Sequence, residues 1–201
     1  NARLYLNLSK LYRLATVDSL TGLHNRTYMQ QRLKEEIKKA WRFRQPLAVI
    51  LLDLDLFCQI NETRGQKAGD ETLREMAKFI RKAARDYDIV GRHGGEEFLI
   101  ILPQTNLDGA KTLAERLRKG SAEYPFPEGL RLTCSLGLAS LSADGLTFPG
   151  GSHRDQEALL SRTLEDLLTQ TEQAVAQAKE AGRDRVEVAA ASEVRPNGLA
   201  N

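Results

Sequence analysis

The 201 residues suffice for one domain with a full hydrophobic core, and 41% hydrophobic with 28% charged residues excludes a disordered chain. A net charge of +2 is too small to argue for a nucleic-acid polymer or a membrane surface as a partner, and no apolar run reaches the length of a membrane span. Cys58 and Cys134 lack the spacing of a zinc site or a disulfide framework, which favours a reducing, cytoplasmic location.

Leucines at helical spacing mark the start of the chain. Leu4, Leu8, Leu11 and Ala15 recur every three or four positions, which is typical of a short coiled-coil seam. We interpret residues 1–17 as the end of a signalling stalk that pairs two copies, downstream of a sensor domain that this fragment lacks. The alternative is an amphipathic helix packed on its own domain.

Helical and extended patterns alternate through the rest of the chain. Gly22 and Asn25 predict a turn within 18–26, and the continuous apolar run 47–52 predicts a central strand buried on both faces. The other predictions are helices over 27–43, 71–84, 107–120 and 159–181, strands over 130–138 and 186–188, a loop over 140–154, and a disordered tail over 189–201. Interleaved strands and helices predict an α/β (α+β) fold, a sheet covered by helices.

A glycine pair separates two extended runs in the middle of the chain. Apolar residues 89–90 and 99–102 flank Gly94 and Gly95, which predicts a β-hairpin whose tight turn uses the positive φ of the glycines. Bare backbone also lets a ligand approach, and Glu96 with Glu97 follows at once. This combination suits a nucleoside triphosphate with Mg²⁺, because the metal separates the like charges. The alternative is a solvated turn.

Two carboxylates follow the predicted central strand. Asp53 and Asp55 fall on one face because strand side chains alternate, and the Leu54 carbonyl between them is a further oxygen ligand. Buried carboxylates are costly unless compensated, and a divalent cation is their usual partner. The alternative places both acids in solvent at the end of the strand.

Asn61 and Asp70 flank the glycine-rich stretch that precedes the predicted 71–84 helix. Their side chains match the donor and acceptor edge of guanine, since a carboxylate can accept from both N1–H and the 2-amino group. The alternative for Asp70 is an N-cap of that helix.

Taken together, these motifs make the chain from Asp18 to about Val188 resemble the GGDEF family, the diguanylate cyclases. The matching stretches are Asp18 to Arg26 for the family's DxLTGLxNR opening, Asp53 to Phe57 for its DxDxF strand end, Gly69-Asp70 for its GD pair, Gly94 to Phe98 for the signature in its GGEEF form, Ser135-Leu136-Gly137, and Ala178 to Arg183. One such motif is weak evidence, whereas six in order are strong.

The resemblance implies a palm-like central sheet of the nucleotide-cyclase type that carries the hairpin. It also implies condensation of two GTP into cyclic di-GMP and two pyrophosphates, by attack of a 3′-hydroxyl on an α-phosphate. Asp53, the Leu54 carbonyl and Glu96 would hold two Mg²⁺ ions per site, which Mn²⁺ could replace. Glu96 would also accept the proton, and Glu97 would support the metal site.

Substrate contacts are implied in the same way. Lys179 and Arg183 would neutralise the phosphates as catalytic cations. Asn61 and Asp70 would read guanine, and Asp70 would favour GTP over ATP because adenine offers it no N1–H. The residues expected to contact GTP are Phe57, Cys58, Asn61, Gln66, Asp70, Gly94 and Gly95.

The symmetry of the product predicts a homodimer, since two sites with one GTP each must face each other across a twofold axis. Arg85 and Asp88 match the family's RxxD inhibitory motif and suggest feedback binding of cyclic di-GMP. The alternative for this pair is an ordinary i,i+3 salt bridge on a helix.

Four positions depart from the family pattern. Cys58 stands in place of a lysine, Glu62 in place of an aspartate, Gln66 in place of a histidine, and Ala176 in place of a tyrosine. Because the predicted metal acids are all present, we expect slowed rather than abolished chemistry. The rival hypothesis is a non-catalytic receptor that binds GTP or cyclic di-GMP and signals by rearrangement of the dimer.

Overall fold

The computed structural model describes residues 13–142 and 152–189. Leu4, Leu8 and Leu11 of the predicted stalk lie outside these residues, as do most of the predicted 140–154 loop and nearly all of the predicted tail. Ala15 lies in a short helical stretch over 13–16 that leads into the 18–26 turn.

One mixed sheet organises the described part of the chain. Its strands are β1 (Leu47–Leu54), β2 (Ile89–Gly94), β3 (Glu97–Pro103), β4 (Cys134–Leu141) and β5 (Val186–Val188), in the spatial order β2-β3-β1-β4-β5. The helices are α1 (Arg26–Phe43), α2 (Phe57–Arg64), α3 (Gln66–Ala83), α4 (Leu107–Glu123) and α5 (His153–Glu180), with a 3₁₀ turn at Pro127–Gly129. The pairs are antiparallel except β4 with β5. This architecture confirms the predicted sheet covered by helices.

The central strand β1 is buried along its whole length, as its apolar run predicts. Ala48, Ile50 and Leu52 pack on one side of the sheet with residues of α3 and α4. Val49 and Leu51 pack on the other side with residues of α1 and α5. Side chains alternate along a strand, so Asp53 continues the second series and lies on the α5 side. The fold thereby carries a carboxylate into the contact between the sheet and α5.

The helices around the 57–84 region differ from the prediction. α3 begins at Gln66 rather than at residue 71, and its N-cap is Gly65. Asp70 therefore lies within the helix, and its interpretation as an N-cap is wrong. α2 was absent from the prediction. Only two residues of α2, Phe57 and Ile60, are buried, and so short a stretch shows no helical periodicity.

The observed start of β4 and the observed start of α5 also differ from the predicted ones. β4 runs from Cys134 to Leu141 rather than over 130–138, and residues 130–133, between the 3₁₀ turn and β4, have no regular structure. α5 begins inside the predicted loop, where Ser152 caps it and Asp155 bonds back to the Ser152 backbone in a capping box. Within the described residues, no helix is both long and apolar enough to cross a bilayer.

Truncation of Ile50 tests how much stability the double burial of β1 contributes. Ile50 is fully buried, and Ile50→Ala should lower the free energy of unfolding by about 2–5 kcal/mol, because the cavity adds to the lost transfer energy. Leu56→Ala removes a comparable side chain that is 52% exposed and should cost less than about 1 kcal/mol. Urea denaturation of both variants checks this, and equal losses would contradict the packing described here.

Candidate active site

The turn between β2 and β3 lies one residue later than the glycine pair predicts. Gly94 is the last residue of β2 and pairs with Glu97, so Gly95 and Glu96 form the connection. Of the two glycines only Gly95 has a positive φ, at 44°. A Cβ placed on either glycine would meet no described atom within 4 Å. The hairpin therefore presents open backbone beside Glu96.

Arg92 fixes the backbone of this turn through hydrogen bonds. Its Nε and Nη2 donate to the Gly95 carbonyl at 2.9 and 2.7 Å, and its Nη1 lies 3.4 Å from both carboxylate oxygens of Asp18. Asp18 also accepts from the Thr21 N–H and hydroxyl, at 2.9 and 2.6 Å. Because C=O and N–H of a trans peptide point in opposite directions, fixing the Gly95 carbonyl also fixes the Glu96 N–H. Sequence reasoning did not predict this role of Arg92. Its position two residues before the glycine pair was the signal that could have indicated it.

The ends of β1 and α5 meet at an ion pair. Lys179 Nζ lies 2.7 Å from Asp53 Oδ2, and the Asp53 side chain is 5% exposed. Asp53 Oδ1 is buried with no hydrogen-bond partner in the described part of the chain. Across the β1–β3 register Asp53 faces Glu97, and the Leu54 N–H donates to the Glu96 carbonyl at 3.4 Å. The sheet therefore brings together the four positions predicted to bind metal: Asp53, Leu54, Glu96 and Glu97.

Negative charge accumulates where the end of β1 meets the signature turn. Burial raises the pKa of the Asp53 carboxyl, the ion pair with Lys179 opposes that rise, and Glu96 adds to it. Burial also raises the pKa of Glu97, as do the charges of Asp53 and Glu172. A cation would relieve this repulsion.

The donor set fits a divalent metal ion. Among the described residues no three Asp, Glu, His or Cys side chains already form a metal-binding group. The predicted set, however, includes a backbone carbonyl, and the unpartnered Asp53 Oδ1 is a ready oxygen ligand. Oxygen donors of this kind are those that Mg²⁺ and Mn²⁺ prefer.

Asp55, the second acid of the strand end, has a different environment. Its carboxylate accepts from Ser135 Oγ at 2.7 Å, Thr133 Oγ1 at 2.7 Å and the Asp184 N–H at 3.1 Å. Measured over the whole residue, Asp53 is 3% exposed and Asp55 is 4% exposed, so the alternative of two solvated acids is wrong.

The residues expected to read guanine lie where α2 meets α3. A Cβ at Gly69 would collide with the Asn61 side chain and crowd the Phe57 ring, so the absence of a side chain at Gly69 lets α2 pack closely here. Asp70 follows Gly69 on α3 and is half-buried. Cys58 and Gln66, the two departures nearby, are exposed on α2 and at the start of α3.

Arg183 lies in the turn that follows α5. Gly182, Arg183 and Asp184 have φ values of 111°, 63° and 43°, a run of left-handed residues. The Arg183 N–H donates to the Ala178 carbonyl at 2.9 Å, and the residue is exposed. Its place four residues after Lys179 keeps both predicted cations at one end of α5.

The RxxD pair lies in the connection between α3 and β2, so its interpretation as a helix salt bridge is wrong. Asp88 Oδ2 accepts from the Arg85 backbone N–H at 2.8 Å, whereas the Arg85 guanidinium donates to the Tyr87 hydroxyl. Asp88 Oδ1 is buried with no partner among the described residues. Both residues line a cavity of about 190 Å³ together with Arg116 of α4. Sequence reasoning missed Arg116, which no local motif marks.

Comparison with known proteins decides the family. The family model described as the GGDEF domain of diguanylate cyclases matches residues 15–185. The chain belongs to the GGDEF family. This GGDEF domain is 38% identical over 185 residues to the response regulator PleD of Caulobacter vibrioides, a match that covers 90% of the chain but only 37% of PleD.

Solved structures share the fold of this GGDEF domain. The coiled coil and GGDEF domain of DgcB from Caulobacter crescentus, in complex with c-di-GMP, superposes with a TM-score of 0.79 at 26% identity, covering 94% of this chain and 93% of that one. The active GGEEF domain of a diguanylate cyclase from Vibrio cholerae gives 0.69 at 34% identity, covering 84% and 98%. These likenesses confirm the predicted family and the predicted α+β, nucleotide-cyclase-like fold.

A buried histidine beside the signature should make stability depend on pH. His93 is the extra residue of a bulge in β2 and is 3% exposed. Its Nδ1 has no hydrogen-bond partner among the described residues, and burial lowers the pKa of its imidazole. As the pH falls, the imidazole of His93 takes up a proton at about pH 6.5 in the unfolded chain, and only at a lower pH in the folded chain. The free energy of unfolding should therefore fall as the pH drops from about 7 to 5. In His93→Gln this fall should be smaller, as measured by denaturation across that range. An unchanged slope, or an equal change in the exposed control His153→Gln, would contradict this explanation.

Proposed function

We propose that this GGDEF domain is a diguanylate cyclase that condenses two GTP into cyclic di-GMP and two pyrophosphates. The observation that carries the proposal is the meeting of the signature turn with the end of β1. There Glu96 is held on an open turn, Asp53 has a buried oxygen without a partner among the described residues, and Lys179 supplies a cation at 2.7 Å.

The metal site follows from the same residues. Asp53, the Leu54 carbonyl and Glu96 would hold two divalent cations, Mg²⁺ or Mn²⁺, with Glu97 beside them. GGDEF diguanylate cyclases generally use divalent metal ions. When bound, such ions activate a hydroxyl and neutralise a triphosphate. The raised pKa of Asp53 and of Glu97 supports this assignment, because a cation relieves the repulsion between these carboxylates.

The protein's own groups have distinct tasks in the reaction. Glu96 accepts the proton of the 3′-hydroxyl as the 3′-oxygen bonds to the α-phosphorus of the other GTP and the bond to pyrophosphate breaks. Lys179 and Arg183 stabilise the charge that develops on the departing pyrophosphate. Arg92 keeps the Gly95–Glu96 peptide in one orientation, so Glu96 need not be ordered in each turnover.

Guanine recognition is assigned to the junction of α2 and α3. Asp70 accepts from N1–H and the 2-amino group, and Asn61 is held nearby by close packing over Gly69. An adenine would leave Asp70 facing a ring nitrogen that has no proton, which disfavours ATP. Exposed Cys58 supplies no cation to the phosphates, which should weaken GTP binding by about 1–3 kcal/mol relative to a lysine there.

The active species is a homodimer in this proposal. Each subunit binds one GTP, and both new bonds form only when two sites face each other. The predicted stalk would hold the subunits together, and its described residues 13–16 are helical.

Glu96→Gln tests the cyclase assignment. Incubated with GTP and Mg²⁺ at high protein concentration, the parent chain should form cyclic di-GMP, and the variant should form at least about 100-fold less, because it loses both a metal ligand and the proton acceptor. Chromatography of the nucleotides measures this, and ATP in place of GTP should yield no cyclic product.

Glu123→Gln, at an exposed glutamate that ends α4, is the matched control and should leave the rate unchanged. If the parent is dimeric and binds GTP yet makes no product, the cyclase assignment fails and the receptor hypothesis replaces it.

We also propose that cyclic di-GMP inhibits the enzyme at the cavity lined by Arg85, Asp88 and Arg116. Two guanidinium groups can bind a phosphodiester, and Asp88 Oδ1, which has no partner among the residues described, can accept from a guanine edge.

Arg85→Ala and Arg116→Ala should each raise the cyclic di-GMP concentration for half-inhibition by at least about tenfold, since each removes a charged hydrogen bond of about 1.5–3 kcal/mol. Arg81→Ala, at an exposed arginine on the last turn of α3, should not. Initial-rate measurements with added cyclic di-GMP decide the point, and unaltered inhibition in both variants would place the inhibitor elsewhere.

A further inference from the structure

Asp55 has a local structure that the proposed chemistry does not use. Asp55 is 4% exposed, and three donors reach its carboxylate: the Thr133 and Ser135 hydroxyls and the Asp184 N–H. The Asp55 N–H also donates to the Thr133 carbonyl at 3.0 Å. These donors hydrogen-bond both carboxylate oxygens of Asp55, whereas Asp53 keeps an oxygen that has no partner in the part of the chain that the structure describes.

The turn that Asp55 reaches is one that the chain does not adopt readily by itself. Gly182, Arg183 and Asp184 all have left-handed φ values, and each non-glycine residue there costs roughly 1 kcal/mol or more. Such a conformation persists only when its surroundings impose it. On one side the Asp184 N–H bonds to Asp55 Oδ2 at 3.1 Å, and on the other Arg118 Nη1 donates to Asp184 Oδ1 at 2.9 Å.

We propose that Asp55 is a positioning residue, which fixes the Asp184 backbone and thereby holds Arg183 against the triphosphate of GTP. The proposal rests on the proposed function, in which Arg183 binds phosphate. One end of β1 then secures both cations, since Asp53 pairs with Lys179 and Asp55 holds the turn that carries Arg183.

Asparagine at position 55 is a useful conservative variant. Its single carboxamide oxygen can take the place of Oδ2 and accept from Asp184 and Thr133, while its NH₂ group faces Ser135. A hydroxyl can accept as well as donate, so Ser135 can rotate to receive that NH₂. Alanine removes the acceptor altogether. The two variants therefore separate loss of the hydrogen bond from loss of the charge.

The test measures binding of 3′-deoxyGTP, which lacks the attacking hydroxyl and cannot be condensed. Dissociation constants with Mg²⁺ are determined calorimetrically for the full 201-residue chain and for Asp55→Ala, Asp55→Asn, Arg183→Ala and the Asp55→Ala/Arg183→Ala double variant. Asp55→Ala and Arg183→Ala should each weaken binding by about tenfold. The double variant should be no weaker than Arg183→Ala, because Asp55 acts through Arg183. Asp55→Asn should stay within about threefold of the parent.

Hydrogen exchange of the Asp184 amide supplies a second readout, independent of nucleotide. Exchange should be at least about tenfold faster in Asp55→Ala and close to the parent rate in Asp55→Asn. If Asp55→Ala does not fold, Ser135→Ala replaces it in the same cycle. This variant removes one of the two hydroxyls that orient the Asp55 carboxylate, and it should weaken binding by about threefold.

Additive losses in the double variant, or parent-like binding by Asp55→Ala, would overturn the inference. A parent chain that does not bind 3′-deoxyGTP would instead overturn the proposed function, and this inference with it.

Discussion

Two carboxylates buried at the end of the central strand require compensation, and the rest of the site is arranged around that requirement. Asp53 pairs with Lys179 from the last turn of α5, and Asp55 takes donors from β4, from the residue before β4 and from the turn after α5. Leaving either acid uncompensated would cost several kcal/mol. The end of α5 therefore lies against the sheet for electrostatic as well as apolar reasons, and Lys179, predicted to meet phosphate, lies beside Asp53, predicted to meet metal.

The signature hairpin depends on a second contact, made by Arg92. One guanidinium holds the Gly95 carbonyl and approaches Asp18, while the Arg92 backbone N–H donates to the His24 carbonyl at 2.8 Å. The segment before α1 thus pairs with β2, which lies at one edge of the sheet, and covers it. The opening motif and the signature, separate in the sequence, act as one structural unit.

Local patterns predicted much of this fold, and distant contacts account for what they missed. The apolar run at 47–52 was enough to predict a doubly buried strand, and the glycine pair was enough to predict a hairpin. The turn moved by one residue because a bulge at His93 changes the register of β2. The start of α5 was missed although Ser152 and Asp155 form a readable capping box. The separate role of Asp55 had no local signal, since its side-chain and backbone donors come from 78 to 129 residues away.

The link from Asp18 through Arg92 to Gly95 has a consequence for modular design. The helical stretch at 13–16 is linked to the signature turn by hydrogen bonds, from the Asn25 N–H to the Thr16 carbonyl, from the Arg92 N–H to the His24 carbonyl, and from the Arg92 guanidinium to the Gly95 carbonyl. An engineer who fuses an input module to this domain should therefore join the chains before Arg13 and leave the spacing from Val17 to His24 intact. A linker inserted within that spacing would disrupt the pairing of Val17 with His24 and of His24 with Gly91.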